Sequence, residues 1–289
     1  MARVSFVAWL QRVGSAVLWL LLFMAVGIGI SIGLSGTAPA AGGGMWWLAR
    51  NGVSQLAGFL TATWLVGRLA NRYSWGRMGW RAPRVLPRHF LRGLALGAGM
   101  AVAAVLLAVV FDGAALRLTG TAGFIGVAGP LAVGLCAAAL SEELMFRGYP
   151  LRRLADAIGP GAAMAVLAIG FGAAHVPNPE IGVLATINIA LAAVWLAAAF
   201  FSTGGMALAW GLHFGWNAAL SLGFDAPVSG FAFDVPGVDY FPGAHAWVDG
   251  GRFGPEGGVI GTLLILGGVV AVLGRRARSP RAWLAEAAA

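Results

Sequence analysis

Residues 15–35, SAVLWLLLFMAVGIGISIGLS, carry no charge in 21 positions. A helix rises 1.5 Å per residue, so about 20 such residues cross the ~30 Å hydrocarbon core of a bilayer. Seven more mostly apolar runs follow, at about 52–70, 94–111, 130–154, 160–176, 182–202, 204–222 and 257–274. This feature constrains the fold most. In hydrocarbon the backbone polar groups must pair internally, and runs this long satisfy them as helices. The chain therefore reads as all-α, a polytopic membrane bundle of about eight transmembrane helices.

Composition and charge agree. Of 289 residues, 59% are hydrophobic and only 10% charged, against roughly 25% charged in soluble domains. The formal charge is +8, and all 19 basic residues are Arg. They flank apolar runs, so topology accounts for them and no nucleic-acid partner is expected. Cys136 is the one cysteine, which leaves no intrachain disulfide and no C-x-x-C metal site.

Arginine placement orients the bundle. With the N-terminus inside, the inner segments hold Arg3 and Arg12, seven arginines from Arg68 to Arg92, then Arg147, Arg152 and Arg153, then four in the tail from Arg275 to Arg281. The outer segments hold only Arg50, Arg117 and Arg252. That asymmetry places both termini in the cytoplasm, and a bacterial cytoplasmic membrane is the expected location. "TAPAA", residues 37–41, resembles a signal-peptidase site. The first apolar run exceeds a usual signal core of about 7–15 residues, so it is expected to stay. Inner segment 68–92 interleaves arginines with Trp75, Trp80 and Phe90 and reads as an anchor on anionic lipid. Outer segment 224–256 is rich in Gly, Pro and aromatics with a net charge of −4. It reads as an interfacial loop resting on headgroups, with a lid as the alternative. The chain divides into N-terminal helices with an Arg-rich linker (1–129), a central motif-bearing part (130–222), and an outer loop, last helix and basic tail (223–289).

Against this background "AALSEELMFRGYPLRRL", residues 138–154, stands out. A helix opened by Pro130 and running to about Ile158 puts Glu142 about half-way along. Each lone charge there costs about 2.5–3.5 kcal/mol on insertion scales. Glu143 and Arg147 are four apart and share a face, so they can pair. Glu142 points about 100° away. An ionisable residue at that depth marks function by default, whereas Glu143 and Arg147 are equally well read as a structural ion pair. In the fifth run, "FGAAH" places His175 at a depth close to that of Glu142. In the seventh, "HFGWN" places His213 and Asn217 on one face. Singly, each His reads as a hydrogen-bonded core residue. Together they make a polar intramembrane cavity. A carboxylate and an imidazole can deprotonate water, and an imidazole and a carboxamide can stabilise an oxyanion. No Ser or Cys nucleophile shares the face. Glu142, His175 and His213 could also bind zinc, although H-E-x-x-H is absent.

These motifs, E-E-x-x-x-R from Glu142 to Arg147, F-x-x-x-H from Phe171 to His175 and H-x-x-x-N from His213 to Asn217, occur in the order that marks the CPBP family of intramembrane proteases. That family includes the type II CAAX prenyl endopeptidases and the bacteriocin-processing Abi proteins. The resemblance implies an intramembrane endopeptidase in which Glu142 and His175 activate water and His213 and Asn217 form the oxyanion hole. Glu143, Arg147 and Phe171 would support them. It implies a peptide or membrane-protein substrate, prenylated or a leader peptide, met in the lipid bilayer. No cofactor is required by the resemblance, and a divalent metal such as zinc is left open, held by Glu142, His175 and His213. The alternative function is a non-catalytic scaffold or immunity-type protein that binds another membrane protein. A proton relay ranks third, since the halves show no paired broken helices.

Overall fold

The computed structural model describes residues 6–36, 45–80, 83–203 and 205–273. Arg3, Arg81, the 37–41 stretch and the basic tail therefore lie outside the described residues. The chain is a helical membrane bundle. Its helices are α1 (Phe6–Ser35), α2 (Met45–Ala62, continued as a π-helix over Thr63–Ala70), α3 (Leu86–Asp112), α4 (Phe124–Phe146), α5 (Tyr149–Ile158), α6 (Pro160–Ala174), α7 (Val183–Thr203), α8 (Met206–Phe224), the short α9 (Ala246–Asp249) and α10 (Val259–Leu273). Four stretches among the described residues are long and apolar enough to cross a membrane: Phe6–Ser35, Leu86–Asp112, Phe124–Ile158 and Val183–Ser202. The expected eight spans are not reached on length and apolarity alone. The 15-residue α6 and α10 reach only about 22 Å each, while α2 and α8 carry polar side chains.

The fourth apolar run departs from its expected form. It does not begin at Pro130 or continue unbroken to Ile158. Helix α4 starts six residues earlier, after Gly123 at φ 80°, and ends at Phe146. The N–H groups of Arg147 and Gly148 both donate to the Glu143 carbonyl, at 2.8 and 3.2 Å. Gly148 then leaves the helical region, at φ −66° and ψ −113°, and Pro150, which lacks an N–H, suits the first turn of a new helix. The chain therefore breaks at Arg147–Gly148 and resumes as α5.

Helices that position the motifs meet through small residues. Gly93 and Gly97 of α3 face Gly211 and Gly215 of α8. A Cβ on Gly97 would overlap the Leu212 carbonyl, and one on Gly215 would overlap the Leu94 carbonyl. This is a Gly-x-x-x-Gly contact made from both sides, which lets backbones approach until dispersion forces hold them. Gly52 of α2 and Gly134 of α4 meet in the same way. Apolar side chains such as Phe59, Leu144, Phe200 and Leu212 fill the interior around these seams.

At one end, strands β1 (Ala115–Leu118) and β2 (Val238–Phe241) pair antiparallel, with Ala115 opposite Phe241 and Leu118 opposite Val238. The 224–256 segment, expected as an interfacial loop with a lid as the alternative, has a built interior. It folds into a cap, because its carboxylates find donors inside. Asp249 is fully buried and accepts from the Tyr240 hydroxyl and from the N–H groups of Gly243 and Gly251. Glu256, also buried, accepts from Trp216 Nε1 at 3.0 Å and from the Ser229 hydroxyl and N–H. Burial of Tyr240, followed by the charge of Asp249 and its hydrogen bond, raises the Tyr240 hydroxyl pKa. Burial likewise pushes the Asp225 carboxyl up to about 6, with Asp234 and Asp239 adding to the rise and a bond from Val235 N–H opposing it.

At the opposite end, Asp156 of α5 collects Arg77 and Arg152, each at 3.0 Å, and the Tyr73 hydroxyl at 2.7 Å. The Arg-rich segment does not simply lie on the surface. Tyr73 and Met78 are buried in the main core, so it is stapled to the bundle.

Candidate active site

Helix α4 brings Glu142 and Glu143 to the junction of α6 and α8, where the two neighbours face opposite nitrogens of His213 and otherwise meet different partners. Glu143 is fully buried and pairs with Arg147 at 3.2 Å. Its Oε1 also accepts from His213 Nδ1, at 3.1 Å. Arg147 is buried too, and its guanidinium lies over the Phe171 ring at 4.6 Å. Taking these charges out of water costs several kcal/mol per ion. The pair offsets that cost only because the imidazole and the ring supply further favourable contacts.

Glu142 lies on the other side of the helix and keeps about a quarter of its side chain exposed. Its Oε2 stands 3.7 Å from His213 Nε2 and 4.0 Å from His175 Nε2. Both distances exceed the ~2.7–3.2 Å of a direct hydrogen bond. Two imidazole nitrogens and one carboxylate oxygen thus surround a gap in which one oxygen atom could touch all three.

The tautomers follow from the second nitrogens. His175 caps the C-terminus of α6, and its Nδ1 lies 2.7 Å from the Phe171 carbonyl. A carbonyl only accepts, so Nδ1 carries the proton and the neutral ring turns a lone pair at Nε2 toward Glu142. His213 Nδ1 donates to Glu143 by the same reasoning. Phe171 therefore acts twice: its carbonyl orients His175, and its ring packs at a tilt against that imidazole, centroids 4.6 Å apart.

Behind the imidazoles is a cavity of about 40 Å³, room for more than one water. His175, His213 and Asn217 line it, along with Phe171, Trp195, Trp216 and residues of the cap. Asn217 sits one turn beyond His213 on α8, as its spacing predicts. Glu142 is not part of that lining; it faces the cavity through the two imidazoles. Glu142, His175 and His213 are thus brought together, and Asn217 shares the cavity with the two imidazoles, while Glu143 and Arg147 are locked behind. Three polar contributors escaped the sequence reading: Asn188, Ser229 and Glu256. Asn188 gave a usable signal, a lone carboxamide in the apolar run of α7. It donates to the carbonyls of Glu256 and Gly258, at 2.9 and 2.8 Å, and accepts from Thr262. Glu256 gave none, since its loop reads as solvated.

Zinc would suit the chemistry of Glu142, His175 and His213. Among the described residues, however, no group of three or more His, Cys, Asp and Glu side chains is disposed to hold a metal ion.

The bundle and its buried polar site define a class, that of helical integral membrane proteins with ionisable groups in their interior. Residues 124–219 match the family model of Rce1-like type II CAAX prenyl endopeptidases. The match covers α4 to most of α8 and includes every motif residue. Through this region, about a third of its length, the chain is similar to the CAAX protease family. No curated protein and no solved structure matches it.

Proposed function

We propose that the chain is an intramembrane endopeptidase that hydrolyses a peptide bond with a water activated by Glu142 and His175. The observation carrying this reading is the gap between Glu142 Oε2 and the two imidazole Nε2 atoms, 3.7 and 4.0 Å away. A water there donates one hydrogen to the carboxylate and one to the His175 lone pair, and its oxygen is left to attack a carbonyl carbon. As the new C–O bond forms, the water proton passes to Glu142 or His175. The carbonyl oxygen becomes an oxyanion, and the Asn217 carboxamide and protonated His213 donate to it. Glu143 holds the His213 ring through its Nδ1. Collapse breaks the C–N bond, and the stored proton goes to the leaving amine. Atoms and charge balance without a covalent intermediate. The family supports a membrane-borne peptide substrate, and a prenylated or leader peptide is our proposal. Access from the cytoplasmic side, with both termini there, is likewise proposed from the arginine asymmetry.

The test is proteolysis in proteoliposomes on quenched peptide pools with and without a prenyl group. Wild type, Glu142→Gln and chelator-treated protein are compared. Cleavage lost in Glu142→Gln while the variant stays folded is the expected result. Equal cleavage by wild type and variant overturns the reading. Loss in the chelator lane replaces the direct role of Glu142 and His175 with metal ligation.

A further inference from the structure

A second cavity, of about 330 Å³, opens between α1 and α5 at the end away from the cap. Gln11, Arg12, Ser15, Arg153 and Asp156 line it together with two alanines. This volume far exceeds the ~30 Å³ of one liquid water. Arg153 reaches across from α5 and donates to Ser15 Oγ at 2.7 Å, while its Nε finds no acceptor among the described residues. Asp156 does not cancel this charge, because it is engaged by Arg77, Arg152 and the Tyr73 hydroxyl. Among the described residues no ion pair involves Arg12 or Arg153. With Arg12, Arg77, Arg152 and Arg153 against Asp156, the local balance is strongly positive.

Position identifies the occupant. Arg12 is the last charge before an uninterrupted uncharged run from Val13 to Ser35, so it stands where hydrocarbon gives way to headgroups. Directly beyond it on α1, Val17, Leu18 and Leu21 are exposed, an apolar wall for acyl chains. A free phosphate would use the arginines and leave that wall idle. We infer that this cavity is a site for an anionic phospholipid whose phosphodiester headgroup is held by Arg12 and Arg153 and by the Ser15 and Gln11 side chains, and whose chains lie along α1. Basic pockets between membrane helices commonly take such headgroups.

The site is independent of the proposed chemistry, so binding is its readout. Detergent-purified full-length protein is titrated with phosphatidylglycerol, with phosphatidylcholine of the same acyl chains, and with glycerol 3-phosphate, and bound lipid is counted by native mass spectrometry. Phosphatidylglycerol is expected to bind at one saturable site and phosphatidylcholine not to bind. Arg12→Gln is expected to weaken binding about fivefold, and Arg12→Gln with Arg153→Gln about 25-fold, the effect of one and two juxtamembrane charges. Arg84→Gln, on the exposed Arg-rich segment, leaves it unchanged. Because Arg153 also braces Ser15, the Arg12→Gln single variant carries the decision if the double variant fails to fold. Equal binding of phosphatidylcholine, or phosphatidylglycerol binding unaltered by Arg12→Gln, overturns the site. Saturation by glycerol 3-phosphate as strong as by phosphatidylglycerol overturns the lipid and leaves a soluble phosphate in its place.

Discussion

Two regions of this molecule bury carboxylates in an apolar bundle, and they do it in opposite ways. In the cap, Asp249 and Glu256 each meet several fixed donors: a hydroxyl, an indole and backbone N–H groups. Nothing is left for them to take up. At the α4–α6–α8 junction, Glu143 is anchored through Oε1 by Arg147 and His213. Glu142 has no such anchor; its Oε2, like the second oxygen of Glu143, is buried with no hydrogen-bond partner among the described residues. A buried carboxylate anchored on a guanidinium holds structure, whereas one aimed at two imidazoles across a gap is poised to exchange a proton. Adjacent in sequence, the glutamates differ because only Glu143 has an arginine four residues on.

The largest expected effect separates these adjacent residues. Glu142→Gln should lower cleavage by about 10²–10⁴-fold, the usual share of a general base, with an unfolding midpoint close to wild type. Glu143→Ala should do the reverse and strand the buried Arg147, at a cost of about 3–5 kcal/mol. Thermal unfolding in detergent reads that directly, and a Glu143→Ala protein as stable as wild type would dissolve the contrast. Next comes the cap. Asp249→Ala orphans three donors at about 1–3 kcal/mol for each one left without water. Hydrogen exchange should then rise at Gly243 and Gly251 before it rises in α3 or α8. Smaller again is Gly97→Ala, which presses a methyl into the Leu212 carbonyl for about 1–3 kcal/mol. It should also reduce cleavage, since α8 carries His213 and Asn217; stability lost with activity kept would show that the seam does not position them. Smallest is a pH effect in the cap. The Asp225 carboxyl has a folded pKa of about 6, above the ~3.9 of an unfolded Asp. Its contribution is fully present below about pH 4 and is lost as pH rises through about 6. Wild type should lose part of its stability across that window, and Asp225→Asn should not.

The bundle and the clustering of Glu142 with His175 and His213 were legible because both rest on local pattern. Uncharged runs must be helices in lipid, and i,i+4 spacing put Glu143 with Arg147 and His213 with Asn217. The near-equal depths of Glu142 and His175 followed from rise per residue alone, and the side chains do meet. What escaped was long-range. The break at Arg147–Gly148 was signalled by Gly148 and Pro150 but outweighed by apolar length. The folding of 224–256 had no local signature, because it depends on Trp216 and Asn188, outside the segment, and on Ser229, 27 residues from the Glu256 carboxylate it bonds. Charge counting treats Asp249 and Glu256 as solvated, and only tertiary donors reverse that.

The short ribbon between Leu118 and Val238 has a consequence of counting. Two strands paired along an edge lie on the same side of any sheet of lipid that the chain threads. The chain between them must therefore pass through that sheet an even number of times. If α4 with α5, then α6, α7 and α8 each cross, they make four passages. A half-passage by any one of them, turning back before the far surface, would have to be matched by a second. The ribbon thus turns the question of which short helices fully cross into one of parity. Labelling accessibility at two loops settles it for the rest.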